Sequence, residues 1–150
     1  MGFLGRLLHS LTGRSKYRLP GEMAILGAPA ELVQTARRMS DLKQEEAFIS
    51  FVEGRHACML DWRAQRDDVY AELTPLLSHE ERRLLPPPNS VPDDASSAIA
   101  QIRQAFAESP RALVHTESFG DFSFLVLVPR EKEQEFLACV DPWLIDDEMG

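Results

Sequence analysis

Cysteine, closely spaced glycine and basic charge are the scarce components of this 150-residue sequence, and each shortage removes a class of protein. Two cysteines occur, Cys58 and Cys139, each inside an apolar run. That excludes a disulfide-dense scaffold and makes a reduced, intracellular setting the default. The eight glycines are spread too thinly to cradle a phosphate, and no G-x-S-x-G elbow, Walker-type loop or dinucleotide fingerprint is present. Zinc sites draw on closely spaced Cys or His pairs, whereas His9, His56, Cys58, His79, His115 and Cys139 are single and scattered. No metal and no cofactor is expected. The longest apolar stretches are too short for a membrane span.

Basic residues number 16 against 24 acidic ones, a formal charge of −8, and the imbalance is uneven along the chain. Arg6, Arg14, Lys16 and Arg18 meet no carboxylate before Glu22, so the first 20 residues carry +4 and the rest −12. Such a body repels nucleic acid and attracts a basic protein surface. Phe48, Phe51, Phe122 and Phe124 also lack the interleaved Lys and Arg of an RNA-binding sheet. The remaining composition suits a folded protein in water: 44% hydrophobic and 27% charged residues, at a length that buries a core without staples.

In the basic segment 1–20, Phe3, Leu4, Leu7, Leu8 and Leu11 fall on one helical face, with Arg6, Ser10 and Thr12 largely off it. The segment lacks a signal-peptide pattern, and Arg6 stands where a myristoylation motif needs Ser or Thr. Its apolar face is expected to dock on the domain, on a partner, or on a membrane surface. Residues 13–30, with Pro20, Gly21, Gly27 and Pro29, read as a connector containing a short extended piece at "MAILG".

The Pro-rich stretch "LLPPPNSVPDD", residues 84–94, divides the remainder into units 28–83 and 95–145, followed by an acidic tail, 146–150. Each unit reads α-β-β-α. In the first, "ELVQTARRMSDL" is a helix, "EEAFISFVEGRHACMLDW" a hairpin turning at Glu53-Gly54, and "RDDVYAELTPLL" a helix; Ser78 with Glu81 is a capping box opening "SHEERRLL". In the second, "SSAIAQIRQAF", "RALVHTESFGDFSFLVLVP" and "REKEQEFLACVDPWL" repeat that order. A shift of 66 lays Gly54 on Gly120, Cys58 on Phe124 and Trp62 on Val128; a shift of 67 lays Leu73 on Val140 and Pro75 on Pro142. The expected fold is a single α+β domain, a pseudo-repeat of two units making one four-stranded antiparallel sheet packed against helices.

"HACMLDW", residues 56–62, sets His56, Cys58 and Asp61 close together in sequence. A strand alternates its side chains, so His56, Cys58, Leu60 and Trp62 share one face and Ala57, Met59 and Asp61 the other. The apparent triad is broken, Phe51 is expected beside His56, and Cys58 and Trp62 are core candidates. His115, with Glu117 and Asp121, is placed on a more polar face of the second hairpin as a candidate acid or base, with Phe122, Phe124, Val126 and Val128 opposite. Acidic clusters at helix starts are explained by capping and the helix dipole. Asp146, Asp147 and Glu148 in the tail, with Glu131 and Glu135, remain as a docking patch. The character is that of a non-catalytic, cytoplasmic, bacterial protein-interaction module, in the manner of immunity, inhibitor or accessory proteins. The alternatives are a small enzyme with a histidine site between the hairpins and an adaptor lying on the inner membrane face through residues 1–18.

Overall fold

The computed structural model describes residues 19–117 and 122–139. Among these, seven α-helices and a three-stranded antiparallel sheet form a mixed α+β fold. In chain order they are α1 (Leu19–Ile25), α2 (Ala30–Arg37), α3 (Asp41–Val52), β1 (Ala57–Asp61), α4 (Arg66–Leu73), α5 (His79–Leu84), α6 (Ala95–Ala105), β2 (Arg111–Glu117), β3 (Phe122–Pro129) and α7 (Glu133–Cys139). Short 3-10 turns lie at Thr74–Leu76, Pro88–Ser90 and Arg130–Lys132. The apolar face expected over residues 3–11, the turn at Ser118–Gly120 and the acidic tail lie outside the described residues.

The strand order is β1-β3-β2, so "FSFLVLVP" runs through the centre. Its unbroken apolar run from Phe124 to Val128 suits a strand covered on both faces, because both sets of alternating side chains must be apolar. On one face Phe124, Val126 and Val128, with Ala57 and Val114, pack against Met23 and Leu26 of the α1 region, Val33 and Ala36 of α2, Phe48, Phe51 and Val52 of α3, and Phe136 of α7. Phe48 meets Phe124 edge to face, with centroids 6.0 Å apart. On the other face Leu125 and Leu127, with Cys58, Leu60 and Leu113, pack against Val69 and Leu73 of α4, Ile99 and Ile102 of α6, and Phe106. The result is a sheet between two helical layers.

Three expectations are corrected by this arrangement. The stretch read as the first arm of a hairpin is α3, so three strands replace the expected four. Ser40 caps this helix by accepting from the Lys43 amide, and Phe48, Phe51 and Val52 recur at helical spacing. Their period is obscured because Gln44 and Glu45, polar residues, are also buried on the inner face. The equivalence of the two halves goes with it: the shift of 66 lays Cys58 on Phe124, yet these side chains enter cores on opposite faces of the sheet. The register instead pairs Cys58 with Leu125 across the sheet.

The expected connector contains α1. Pro20 falls in the first helical turn, where its missing N–H is harmless. Gly27, at φ +93°, ends the helix: its N–H donates to Ala24 C=O and that of Ala28 to Met23 C=O, a complete Schellman motif. Residues read as breakers are thus its two punctuation marks. Gly21 lets α7 come close, since a Cβ there would stand 3.3 Å from Cys139 Sγ.

The Pro-rich linker is tied down along α4. Arg66 donates from its side chain to Val91 C=O at 3.1 Å and pairs with Asp93 at 2.8 Å, while Tyr70 Oη donates to Pro86 C=O at 2.6 Å. The capping box of α5 is present in both directions between Ser78 and Glu81.

Candidate acidic groove at the sheet edge

β1 is an edge strand, and its backbone alternation can be traced through the hydrogen bonds around it. Leu127 N–H donates to His56 C=O, so residues 56, 58 and 60 face β3 and residues 57, 59 and 61 face outward. Two outward groups are occupied within the chain: Ala57 C=O accepts from Gly54 N–H and Asp61 C=O accepts from Ala64 N–H. Gly54 reaches that position through φ +77°, a conformation that costs little only without a Cβ. Met59 is left with its N–H and C=O both directed away from the sheet, and neither has a backbone partner outside it among the described residues.

Beside this edge lies a groove of about 530 Å³. Gly54 and Glu53 close one end, Pro75, Leu76 and Glu72 form the far wall, and Cys58, Met59, Asp61 and Phe122 line the strand side. Three carboxylates therefore border it, and no lysine or arginine among the described residues does. Asp61 is occupied locally by the Arg63 amide at 2.8 Å, but Glu53 and Glu72 have no cation paired with them among the described residues. Phe122 is 40% exposed, and Trp62, next along from Asp61, is 69% exposed with the Arg63 guanidinium 5.2 Å over its ring. Trp62 is thus a surface residue and not the core residue its alternation suggested: β1 ends at Asp61, and the strand period no longer governs Trp62.

The groove at the opposite edge has the other polarity. It measures about 480 Å³, runs along α6 beside β2, and is lined by Arg103 and Arg130 with Gln101, Gln104 and Glu133. Arg130 is engaged there, donating to Ser109 C=O and Phe106 C=O and pairing with Glu133 at 3.3 Å.

The residues singled out for chemistry are separated or buried. Cys58 is 4% exposed, and burial, with the nearby Glu72 carboxylate, pushes its thiol up to about 12. A thiol so raised is a poor nucleophile. Iodoacetamide at pH 8 is expected to leave Cys58 unmodified in the folded protein and to label it in urea; labelling at equal rates in both would show the burial to be wrong. His56 lies against Phe51 as expected, with ring centroids 5.1 Å apart, although Phe51 belongs to a helix end and not to a paired strand. Burial, then the Arg111 and Arg55 charges, lower the His56 pKa.

His115 is 5% exposed, and its Nε2 lies 3.1 Å from Ser123 Oγ. The polar face expected around it is an apolar layer, because Leu113, Leu125 and Leu127 share that side of the sheet. Glu117 ends β2; its side chain and Asp121 lie outside the described residues. Glu131 and Glu135 are exposed on the last 3-10 turn and α7, whereas Asp146, Asp147 and Glu148 lie outside the described residues. No group of three or more His, Cys, Asp or Glu side chains suited to a metal occurs among the described residues, and no described helix is long and apolar enough to cross a membrane. The groove residues come from four separate segments, so sequence reasoning missed Glu53, Glu72 and Phe122 as neighbours. The one local signal is an aromatic beside an acid at a strand end, Asp61-Trp62.

The chain matches no family model, no curated protein and no solved structure.

Proposed function

We propose that this protein is a non-catalytic binding module that engages a partner protein through its acidic surface, in the role of an inhibitor, immunity or accessory protein. The observation that carries this reading is the acidic groove beside β1, with carboxylates Glu53 and Glu72 lacking cations among the described residues, the exposed Phe122 in its lining, and the exposed Trp62 next in sequence to its Asp61. Exposed aromatic side chains next to unpaired charge are the composition of binding hot spots, since aromatics supply buried area and the charge supplies orientation and on-rate. The partner surface that complements it is basic and contains apolar side chains. Against a histidine acid or base stand the apolar setting of His115 and the Phe51 contact of His56, each a structural use of the ring.

Affinity capture from the source cell with the full chain tests the reading. One stoichiometric partner is expected, released progressively as salt rises from about 50 to about 500 mM and bound about tenfold more weakly by Glu53→Lys/Glu72→Lys. Absence of any partner at low salt, or capture indifferent to both salt and charge reversal, would overturn it.

A further inference from the structure

We infer that the acidic groove takes its partner as an extended segment that adds to β1 as a further strand, with lysine or arginine side chains directed to Glu53 and Glu72. This deepens the reading above and rests on it. A flat acidic patch would hold a folded basic surface equally well; three features of the β1 edge favour an extended segment.

The first is the pair of outward backbone groups at Met59, a donor and an acceptor side by side on the edge. An added strand satisfies both at once, which is how main-chain hydrogen bonds supply affinity in strand addition. The second is that β1 offers little more than this. Its outer side is blocked at one end by the Glu53–Ala57 bridge and at the other by the Ala64 N–H on Asp61 C=O. Short, interrupted edges resist indiscriminate pairing, so an incoming segment needs side-chain contacts as well. The third is that such contacts line the groove beside the edge: Glu72, Pro75 and Leu76 from α4 and its 3-10 extension, and Glu53 where α3 stops.

Side chains on an extended segment alternate at about 3.3 Å per residue, so every second residue meets the same wall. The recognised segment therefore combines cations for Glu53 and Glu72 with apolar side chains for Pro75, Leu76 and Phe122. β2, the other edge, is bordered by Arg103 and Arg130 and does not fit the same segment. The two edges are thus distinguished by charge.

The test uses the full chain and a fluorescein-labelled, capped peptide of alternating valines and lysines, about six residues long, at about 50 mM salt, with amide exchange at Met59 as a second readout. Binding is expected together with slowed exchange of the Met59 N–H. Methylating alternate backbone nitrogens of the peptide should weaken it at least tenfold while leaving its charge intact. Glu53→Lys/Glu72→Lys should weaken it similarly, and Glu131→Lys/Glu135→Lys, on exposed acids away from the groove, less than twofold. Met59→Pro removes the outward-facing N–H together with a side chain packed against one core face, and should also lower affinity; the charge variants decide the matter if that protein does not fold. Equal binding of the methylated peptide, greater sensitivity to the Glu131/Glu135 pair, absence of peptide binding, or protection of Met59 by self-association in sedimentation would overturn strand addition. A captured cellular partner that persists in any of those outcomes would leave the binding-module reading standing, so the two fail separately.

Discussion

Replacing Arg111 by alanine is expected to destabilise the fold by about 3–5 kcal/mol, the range for removing one partner of a buried ion pair. Arg111 opens β2, and its guanidinium crosses to Glu81 on α5, with Nε 2.8 Å from Oε2 and Nη2 on Oε1. Nη2 also donates to Leu76 C=O at 3.0 Å. Glu81 is buried and already accepts from the Ser78 N–H at 2.8 Å, so its lone pairs are filled only while Arg111 is present. Alanine leaves the Glu81 carboxylate without its cation and frees the Leu76 carbonyl. Leu76 lines the acidic groove, so the same variant should loosen the far wall and weaken partner binding.

The pH dependence arises from the same contact. Hydrogen bonding from Arg111 is the largest cause that holds the Glu81 pKa below its ordinary value of 4.5, against the opposing effect of burial. A depressed carboxyl contributes stability that is complete above its unfolded value and is lost as pH falls through the folded one. Arg111→Ala removes that depression, so its stability deficit should be largest near neutral pH and shrink as pH falls through the ordinary carboxyl range. The pair Arg111→Met/Glu81→Leu should recover part of the loss, because no lone charge remains buried, but not the capping box, worth about 1 kcal/mol. Urea midpoints at about pH 7 and about pH 4 measure both effects; a single variant within about 1 kcal/mol of the original would show the pair to be a surface contact.

The second large effect concerns Glu22. Its side chain is 6% exposed on α1, with no hydrogen bond or ion pair to it among the described residues, and burial pushes its pKa up to about 8 from the ordinary 4.5. Between those values the folded state holds a proton that the unfolded state has released. Stability therefore falls as pH rises through that window and levels off above it. At about 1.4 kcal/mol per unit, the loss is on the order of 5 kcal/mol. Glu22→Gln keeps the shape and cannot ionise, so its stability should vary little from about pH 6.5 to about pH 8.5 and exceed that of the original protein at the upper end. The interval begins near the ordinary histidine value of 6.5 because His56, whose pKa is lowered by burial, gives a slope of opposite sign below it. Denaturation of both proteins at the two ends of that interval decides it: stability of the original protein that is flat or rising would mean that Glu22 is solvated or paired.

Elements whose signals are local were legible in the sequence. The capping box of Ser78 and Glu81, the helices α2, α4 and α6, the hairpin strands β2 and β3, and the burial of Cys58 are all set by spacing over a few residues. The signals for α1 were present too, in Pro20 in its first turn and Gly27 after its end, although the density of Pro and Gly around it favoured a connector. α3 was harder, because Gln44 and Glu45 are polar residues on a buried face and break the apolar period that marks a helix.

The sequence by itself determined the mixed α+β class, the acidic balance of the body, and the absence of a G-x-S-x-G elbow, a Walker-type loop and a dinucleotide fingerprint. Only the tertiary structure decided which strands meet. β3 takes the centre because both of its alternating faces are apolar, and this leaves β1 and β2 as edges. Once β1 is an edge among the described residues, Met59 directs a donor and an acceptor away from the sheet, and residues from the end of α3, from α4, from its 3-10 extension and from β3 converge beside it. Hydrophobic periodicity reports whether a residue is inside or outside. It carries no information about which distant carboxylates share a groove, because that depends on strand order, and strand order is chosen by the burial of the whole sheet.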